Sequence, residues 1–206
     1  MEKEQRKERE FNMRRAAILA EAEKIFSARG YHNVTVAEIA NASGFSIGAL
    51  YQFFKSKEDL YTSMIIEKMT MMYAAIEQSV KSAKDLNGRL AALVCAQLQF
   101  IEENVDFCWI FLRGENELSP QTMHSMHERL RVDYFNHLSF IENILTVGIK
   151  NGALRNLPAH EIAIALSHLI RAASIDWMIL RPKDTLVSKK EMILDIFLNG
   201  VKKIDD

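Results

Sequence analysis

Residues 35–57 read TVAEIANASGFSIGALYQFFKSK, and the helix starts and stops inside this stretch decide the fold. Thr35 followed by Glu38 has the form of a capping box, a hydroxyl and a carboxylate closing a helix start. The helix it opens, Val36 to about Ala42, keeps Val36, Ile39 and Ala40 on one side. Ser43-Gly44-Phe45 then supplies a tight turn, with Gly44 free to take a positive φ. Ser46 is placed to cap a second short helix over residues 47 to about 53. Ser56 is placed to cap a third, with Asp59 three positions on. Two short helices joined by a glycine turn are the sequence form of a helix-turn-helix, whose second helix enters the major groove.

The same residues carry a family likeness. Gly30-Tyr31, Thr35, Ile39-Ala40, Gly44, Ser46, Gly48, Leu50-Tyr51, Phe54-Lys55 and Lys57-Glu58-Asp59-Leu60 stand in an order that resembles the DNA-binding signature of TetR-type (tetracycline-repressor-like) transcriptional regulators. The resemblance covers residues 14 to 62. It implies an all-α chain with an N-terminal arm and helix-turn-helix DNA-binding domain over residues 1–62. A helical-bundle sensor and dimerisation domain would follow over 63–206. It also implies a homodimer on a palindromic double-stranded DNA operator, with a small-molecule effector. Two departures stand out: Ile47 occupies a position where a polar residue is common, and Ala49 one where Thr is usual.

Those departures bear on readout. Ile47-Gly48-Ala49 offers few side-chain hydrogen bonds to base edges. Direct readout then falls to apolar contact with thymine methyls and to Gln52, whose amide can bond adenine in a bidentate fashion. The resemblance makes Thr35, Tyr51, Lys55 and Lys57 phosphate contacts, which fix register without reading sequence. DNA shape takes a larger share of specificity in consequence. Ile47 has a second reading, in which it packs against the first helix and never meets DNA. The candidate DNA-contact set is Thr35, Ser46, Ile47, Gly48, Ala49, Tyr51, Gln52, Lys55 and Lys57.

Composition agrees with long helices and short connections: hydrophobic residues make up 49% of 206, with only 3 Pro and 8 Gly. A net charge of −1 does not advertise nucleic-acid binding, and residues 1–61 hold 10 Lys/Arg against 9 Asp/Glu. A local basic face suffices, because only a few phosphates need neutralising per subunit. No stretch reads as long and apolar enough to span a bilayer, and the N-terminus is charged rather than signal-like. A cytoplasmic protein with no membrane partner is expected. Cys95 and Cys108 lie in apolar surroundings and suit a reducing compartment; without a CxxC arrangement or basic neighbours they do not form a redox switch.

MEKEQRKERE is a mixed-charge segment with nothing to bury, a frayed arm or a helix extension. A minor-groove role for Lys3, Arg6, Lys7 and Arg9 is opposed by the interleaved Glu2, Glu4, Glu8 and Glu10. The first firm helix spans 12–29, with Ile18, Leu19, Ala22, Ile25 and Phe26 on one stripe, and Gly30 ends it. Further helices are expected over 57–84, 88–103, 106–115, 120–151, 159–181 and 188–203, separated by turn and stop residues.

The last two of these are apolar nearly all round, which marks a helix either buried in its own domain or shared with a partner. A pairing of two helices from each subunit into a four-helix interface is the economical reading. It assigns Leu166, Ile170, Trp177, Ile193, Ile196 and Phe197 to the dimer contact. The central helices hold an aromatic and methionine-rich set suited to a hydrophobic or amphiphilic ligand: Phe100, Phe107, Trp109, Phe111, Met123, Met126 and Tyr134, with Phe135 and Phe140 nearby. The same set reads equally as plain core. Arg113 and Arg171 could meet an acidic head group, or could pair with Glu117 and Asp176.

His124, His127 and Glu128 lack a further strong ligand, so no metal site is assigned. No Ser-His-Asp order, nucleophile motif, phosphate loop or paired carboxylates occur, so neither an enzyme nor a cofactor is expected. The sequence therefore points to a homodimeric repressor released by a small ligand. A helix-turn-helix regulator without such a ligand and a helical-bundle enzyme are the alternatives.

Overall fold

The structure, a computed structural model, describes residues 2–113 and 118–201. Its regular elements are helices: α1 (Glu2–Arg29), α2 (Val36–Ala42), α3 (Ile47–Leu50), α4 (Lys57–Lys81), α5 (Leu86–Glu103), α6 (Val105–Arg113), α7 (Pro120–Lys150), α8 (Ala159–Leu180) and α9 (Lys190–Val201), with a 3-10 turn at Val187–Lys189 before α9. The charged segment at the N-terminus is a helix extension rather than a frayed arm, and α1 runs 28 residues. The second helix of the helix-turn-helix is shorter than the expected 47–53. After Leu50 the bonding tightens, Gln52 N–H donating to the Ala49 carbonyl at 3.1 Å and Phe53 N–H to the Leu50 carbonyl at 2.9 Å. Residues 114–115 of the expected 106–115 helix and 202–203 of the expected 188–203 helix lie outside the described residues.

Packing groups the chain differently from a functional division at residue 62. One compact unit comprises Met1–Lys68 with Asp106–Glu128, the other Met69–Val105 with Arg129–Asp206. The first is built on Ile18, Ala22 and Phe26 of α1, Ile39 of α2, Leu50 of α3, and Leu60, Tyr61 and Ile65 of α4, all 2% exposed or less. Tyr61 meets Phe26 edge-on at 5.1 Å and Tyr31 at 5.0 Å. Its phenol donates to the Ile110 carbonyl at 3.3 Å, so the buried hydroxyl is satisfied. Half-buried ion pairs, Arg15 with Glu67 and Lys68 with Glu23, fasten α1 to α4.

The second unit packs Ile76 of α4, Leu90, Leu93, Val94 and Leu98 of α5, and Ile141 and Leu145 of α7. Against them lie Ala163, Leu166 and Ile170 of α8 and Ile193 and Phe197 of α9. Asp85 starts α5 by accepting the Gly88 N–H at 2.7 Å. Contrary to the sequence reading, one helix, Ala159–Leu180, is by length and composition long and apolar enough to cross a bilayer. In the fold it buries Ile162, Leu166, Ile170 and Met178, while His168, Arg171 and Asp176 occupy its exposed side.

One buried polar group stands apart in this unit. His137 of α7 is 4% exposed and stacks on Tyr73 of α4 at 4.5 Å, and neither ring nitrogen has a partner. Burial alone pushes the imidazole down to about 4. A depressed histidine contributes stability that is complete above its unfolded value of 6.5 and lost as pH falls through about 4. Urea unfolding of the wild type and of His137→Phe, which keeps the ring stack and cannot protonate, measures this. Between pH 7 and 4.5 the difference between the two should move in the variant's favour by about 2–3 kcal/mol. A pH-independent difference would mean that His137 protonates as readily in the fold as in the unfolded chain.

Candidate nucleic-acid interface and effector residues

The reading head begins with the cap of α2. Glu38 accepts from the Thr35 amide and the Thr35 hydroxyl, each at 2.8 Å, and donates its own amide to Thr35 Oγ1 at 3.2 Å. Arg29 reaches the other carboxylate oxygen at 2.7 Å and also holds the Asn33 carbonyl. The Arg29 hydrogen bond first, then those from Thr35, hold the Glu38 carboxyl down at about 2. Thr35 thus uses its hydroxyl inside the cap as donor and acceptor, and a phosphate would compete with Glu38 for its proton.

The turn follows from Gly44, at φ +76°, while Phe45 N–H closes on the Ala40 carbonyl at 2.8 Å. Ser46 Oγ then accepts the Ala49 amide at 3.2 Å and starts α3. Leu50 is fully buried and pins the turn from beneath. What remains outward is Ile47 at 46% exposure, Tyr51 at 50%, Gly48 and Gln52, with Ala49 half-buried. Of the two readings of Ile47, full burial against the first helix does not occur, since nearly half of its surface stays open. Gly48 has no positive φ, and a Cβ added there would meet nothing within 4 Å. The fold itself does not need that glycine; close approach of an outside body would.

The two candidate lysines differ. Lys55 is exposed, and its amide is bound by Asp59 at 2.8 Å while the Asp59 amide bonds Ser56 Oγ at 3.0 Å, completing the start of α4. Lys57 turns inward: its ammonium donates to the Val34 carbonyl at 2.7 Å and lies 4.2 Å over the Tyr31 ring. It braces the loop before α2, so a phosphate would have to share it.

The nine effector candidates do not gather in one unit. Phe107, Met123 and Met126 are buried, Trp109 and Phe111 half-buried, and Arg113 exposed with its guanidinium 5.4 Å over Trp109; all six belong to the first unit. Phe100 and Tyr134, half-buried, and Arg171, exposed, belong to the second. Glu117, the suggested partner of Arg113, lies outside the described residues. Sequence reasoning passed over Gln97, His137 and Ser167, whose buried Oε1, ring nitrogens and Oγ have no hydrogen-bond partner, as it did the buried indole nitrogen of Trp109. The signal for His137 was available, since it shares the core phase of α7 with Ile141 and Ile144.

Four of the six interface candidates need correction. Leu166 and Ile170 at 0%, Ile193 at 2% and Phe197 at 3% exposure are core residues of their own subunit, with no surface left for a partner. Trp177 is half-buried and its indole donates to the Asp184 carbonyl at 2.8 Å. Ile196 stays outside at 53%, alongside Met192, Ile179 and Leu180. Burial, then the Glu23 charge, pushes the Cys108 thiol up to about 12, which makes it a poor nucleophile. His124, His127 and Glu128 are exposed on α7, and no cluster of three metal-ligating side chains occurs among the described residues.

Residues 18–64 match the family model described as bacterial regulatory proteins, tetR family. Over 189 residues the chain is 22% identical to the fatty acid metabolism regulator protein of Bacillus subtilis, covering 89% of this chain and 93% of that one. Over 194 residues it is 25% identical to the transcriptional repressor KstR2 of Mycobacterium tuberculosis, covering 93% and 94%. The crystal structure of the transcriptional regulator FadR from Bacillus subtilis in complex with stearoyl-CoA has the same fold, with a TM-score of 0.77 at 22% identity, over 90% of this chain and 98% of that one.

The lysine geometry separates two outcomes. Lys55→Ala should leave thermal stability unchanged and make the salt dependence of DNA binding shallower by about one unit per subunit. Lys57→Ala should first lower stability, by about 1–2 kcal/mol, because the Val34 carbonyl loses a charged donor and the Tyr31 ring its cation. A melting scan and a salt titration on each variant decide it; a Lys57→Ala protein as stable as the wild type would remove the bracing role.

Proposed function

We propose that the chain, whose residues 18–64 match the tetR-family model, is a transcriptional regulator of that family, a homodimeric repressor released from a palindromic operator by an apolar or amphiphilic small molecule. The observation that carries the DNA reading is the outward face of α3: Ile47, Gly48, Tyr51 and Gln52 exposed on a turn whose start and underside are fixed by Ser46 and Leu50. On this reading Ile47 lies against thymine methyls, Gln52 reads an adjacent base edge, and Gly48 lets the backbone come close. Tyr51 and Lys55, with Thr35, Ser46 and Ala49 around them, meet phosphate and sugar. The protein works in the cytoplasm, where its operator is.

The dimer contact uses the apolar side chains left outside on α8 and α9: Ile179, Leu180, Met192 and Ile196. Two-fold pairing along these helices supplies the second reading head that a palindrome requires. The effector class is supported by a protein of like fold in complex with stearoyl-CoA and, within the first unit, by the apolar set Phe107, Trp109, Phe111, Met123 and Met126. A long acyl chain is therefore the first class to try, and a steroid skeleton, after the ketosteroid transcriptional regulator KstR2 of Mycobacterium tuberculosis, the second. Release is a population shift: ligand favours a dimer whose heads are wrongly spaced for successive major grooves.

Two experiments test this reading. A thermal-shift screen with long-chain acyl thioesters, sterols, sugars and divalent metals should find stabilisation by the apolar classes, followed by operator release for each hit. Stabilisation only by sugars or metals would overturn the effector class, and hits without release would overturn the inducer mechanism. For the dimer, Ile196→Asp should give a folded monomer, because the charge lands on an exposed contact. Phe197→Asp should unfold the chain, because it buries an unpaired charge at a cost of several kcal/mol. Sedimentation showing an intact Ile196→Asp dimer would move the interface elsewhere.

A further inference from the structure

Three side chains of the second unit carry polar atoms into an apolar interior with nothing there to bond. His137 of α7 is 4% exposed and Ser167 of α8 9%, while Gln97 of α5 is half-buried with its Oε1 enclosed. Both imidazole nitrogens, the serine hydroxyl and the amide oxygen lack a hydrogen-bond partner. One turn along each helix from them stand Leu93 and Val94, Ile141, and Ala163 and Ile170, all buried. Desolvated, unpaired polar groups are costly and uncommon, so a set of them calls for a use.

Contacts along the helices bring the three to one level. Gly148, near the end of α7, faces the start of α5, where a Cβ on it would meet Leu86 Cδ2 at 2.7 Å. Gln97 follows Leu86 by eleven residues and His137 precedes Gly148 by eleven, just over three turns in each case. Both therefore lie about 16 Å from that contact, on the faces that α5 and α7 turn to each other. On α8, His160 pairs with Glu142 of α7 at 3.1 Å. Ser167, two turns beyond His160, is on the same α7-facing side, within about one turn of the His137 level. The course of α8 agrees with this. Arg155, ahead of it, bonds the Gly200 carbonyl of α9, and Glu102, near the end of α5, accepts the Val187 amide that follows it. From α4, Tyr73 closes one side of the His137 ring by stacking at 4.5 Å.

The chemistry of these atoms describes the partner they fit. Gln97 Oε1 only accepts, Ser167 Oγ does both, and a neutral imidazole donates from one nitrogen and accepts at the other. The partner must both donate and accept, which a hydroxyl does and a hydrocarbon, ether or carboxylate does not. Burial is the sole influence on the His137 ring, so no charge beside it offsets an ionic group. We infer that this level of the second unit is a binding site for an uncharged, apolar molecule carrying a hydroxyl group. Gln97, His137 and Ser167 hold the hydroxyl, and the apolar side chains around them hold the rest. Selectivity follows, because a ligand without the hydroxyl leaves the polar groups unpaired. The inference goes beyond the effector class proposed above, which asks only for apolar or amphiphilic character, and stands on residues of the second unit alone.

The test is isothermal titration of the full chain with straight-chain and cyclic alcohols of graded length, their methyl ethers, and fatty acids of matching length. An ether keeps the oxygen and adds a methyl group, so apolar burial alone would favour it. The expected result is at least one alcohol bound ~tenfold or more tightly than its ether and its acid. Ser167→Ala and Gln97→Leu should each shrink that preference severalfold. Both should stay as thermally stable as the wild type, because they remove polar groups that the free protein leaves unpaired. His137→Phe identifies the His137 ring signals in imidazole nitrogen NMR spectra, and these should move with the alcohol and not with the ether. Ethers bound as well as alcohols throughout would overturn the inference, leaving ordered water as the partner of these atoms and the apolar effector reading intact. A preference that persists in every variant would place the hydroxyl elsewhere, and tighter binding of the acids would overturn the neutral class. A clear loss of stability in Ser167→Ala would mean that its hydroxyl is already satisfied in the free protein, and would equally overturn the site. Binding by none of the three classes would sink this inference and the effector reading together.

Discussion

A single helical turn cannot hold itself, and this chain places its base-reading residues on one. Helix nucleation fixes several dihedral angles for each hydrogen bond gained, so the four residues of α3 have no stability of their own. Their orientation is imposed from outside. Ser46 caps the first amides, Gly44 sets the entry, and Leu50 and Phe54, 0% and 1% exposed, anchor the exit. In the same unit the rings of Phe26, Tyr31 and Tyr61 pack on one another, and Lys57 ties the loop before α2 to the start of α4. Much of the first unit can be understood as the support of that turn.

The constraint has a functional consequence. Because α3 is held at both ends, an effector has little local rearrangement within it to exploit. On the proposed dimer, differential affinity for DNA would have to arise from the spacing of two such heads rather than from the heads themselves. A short, mostly apolar face also reads few bases by hydrogen bonding, which raises the share of contacts that position without discriminating.

The parts of this molecule legible in its sequence are those fixed by neighbours in the chain. The Thr35–Glu38 box, the Gly44 turn, and the Ser46 and Ser56 caps involve partners within a few residues, and each forms as the spacing implies. The length of α3 was less legible, because the tightened bonding after Leu50 follows from burying Phe54, a tertiary event. The outward side of α8 and α9 was not legible at all. A helix apolar around its circumference gives no phase to its exposed stripe, so Leu166 and Phe197 look like Ile196 until α5 is seen to cover them. The same property lets α8 pass for a membrane span. For the effector candidates, composition marked apolar residues but not how they divide between two units. For His137 the core phase of α7 gave away its burial, but not that both ring nitrogens go without a partner.

The account turns on α3 meeting DNA with an apolar face, and replacing thymine by uracil tests this most directly, since it removes only the C5 methyl. The substrate is a duplex retained by the wild-type protein from a genomic pool, with uracil introduced at one thymine at a time. Affinity should fall at two symmetry-related thymines, one in each half-site, and a protein carrying Ile47→Ala should be indifferent to those same replacements. A protein that retains no duplex, or one whose affinity is unchanged at every thymine, would contradict the account.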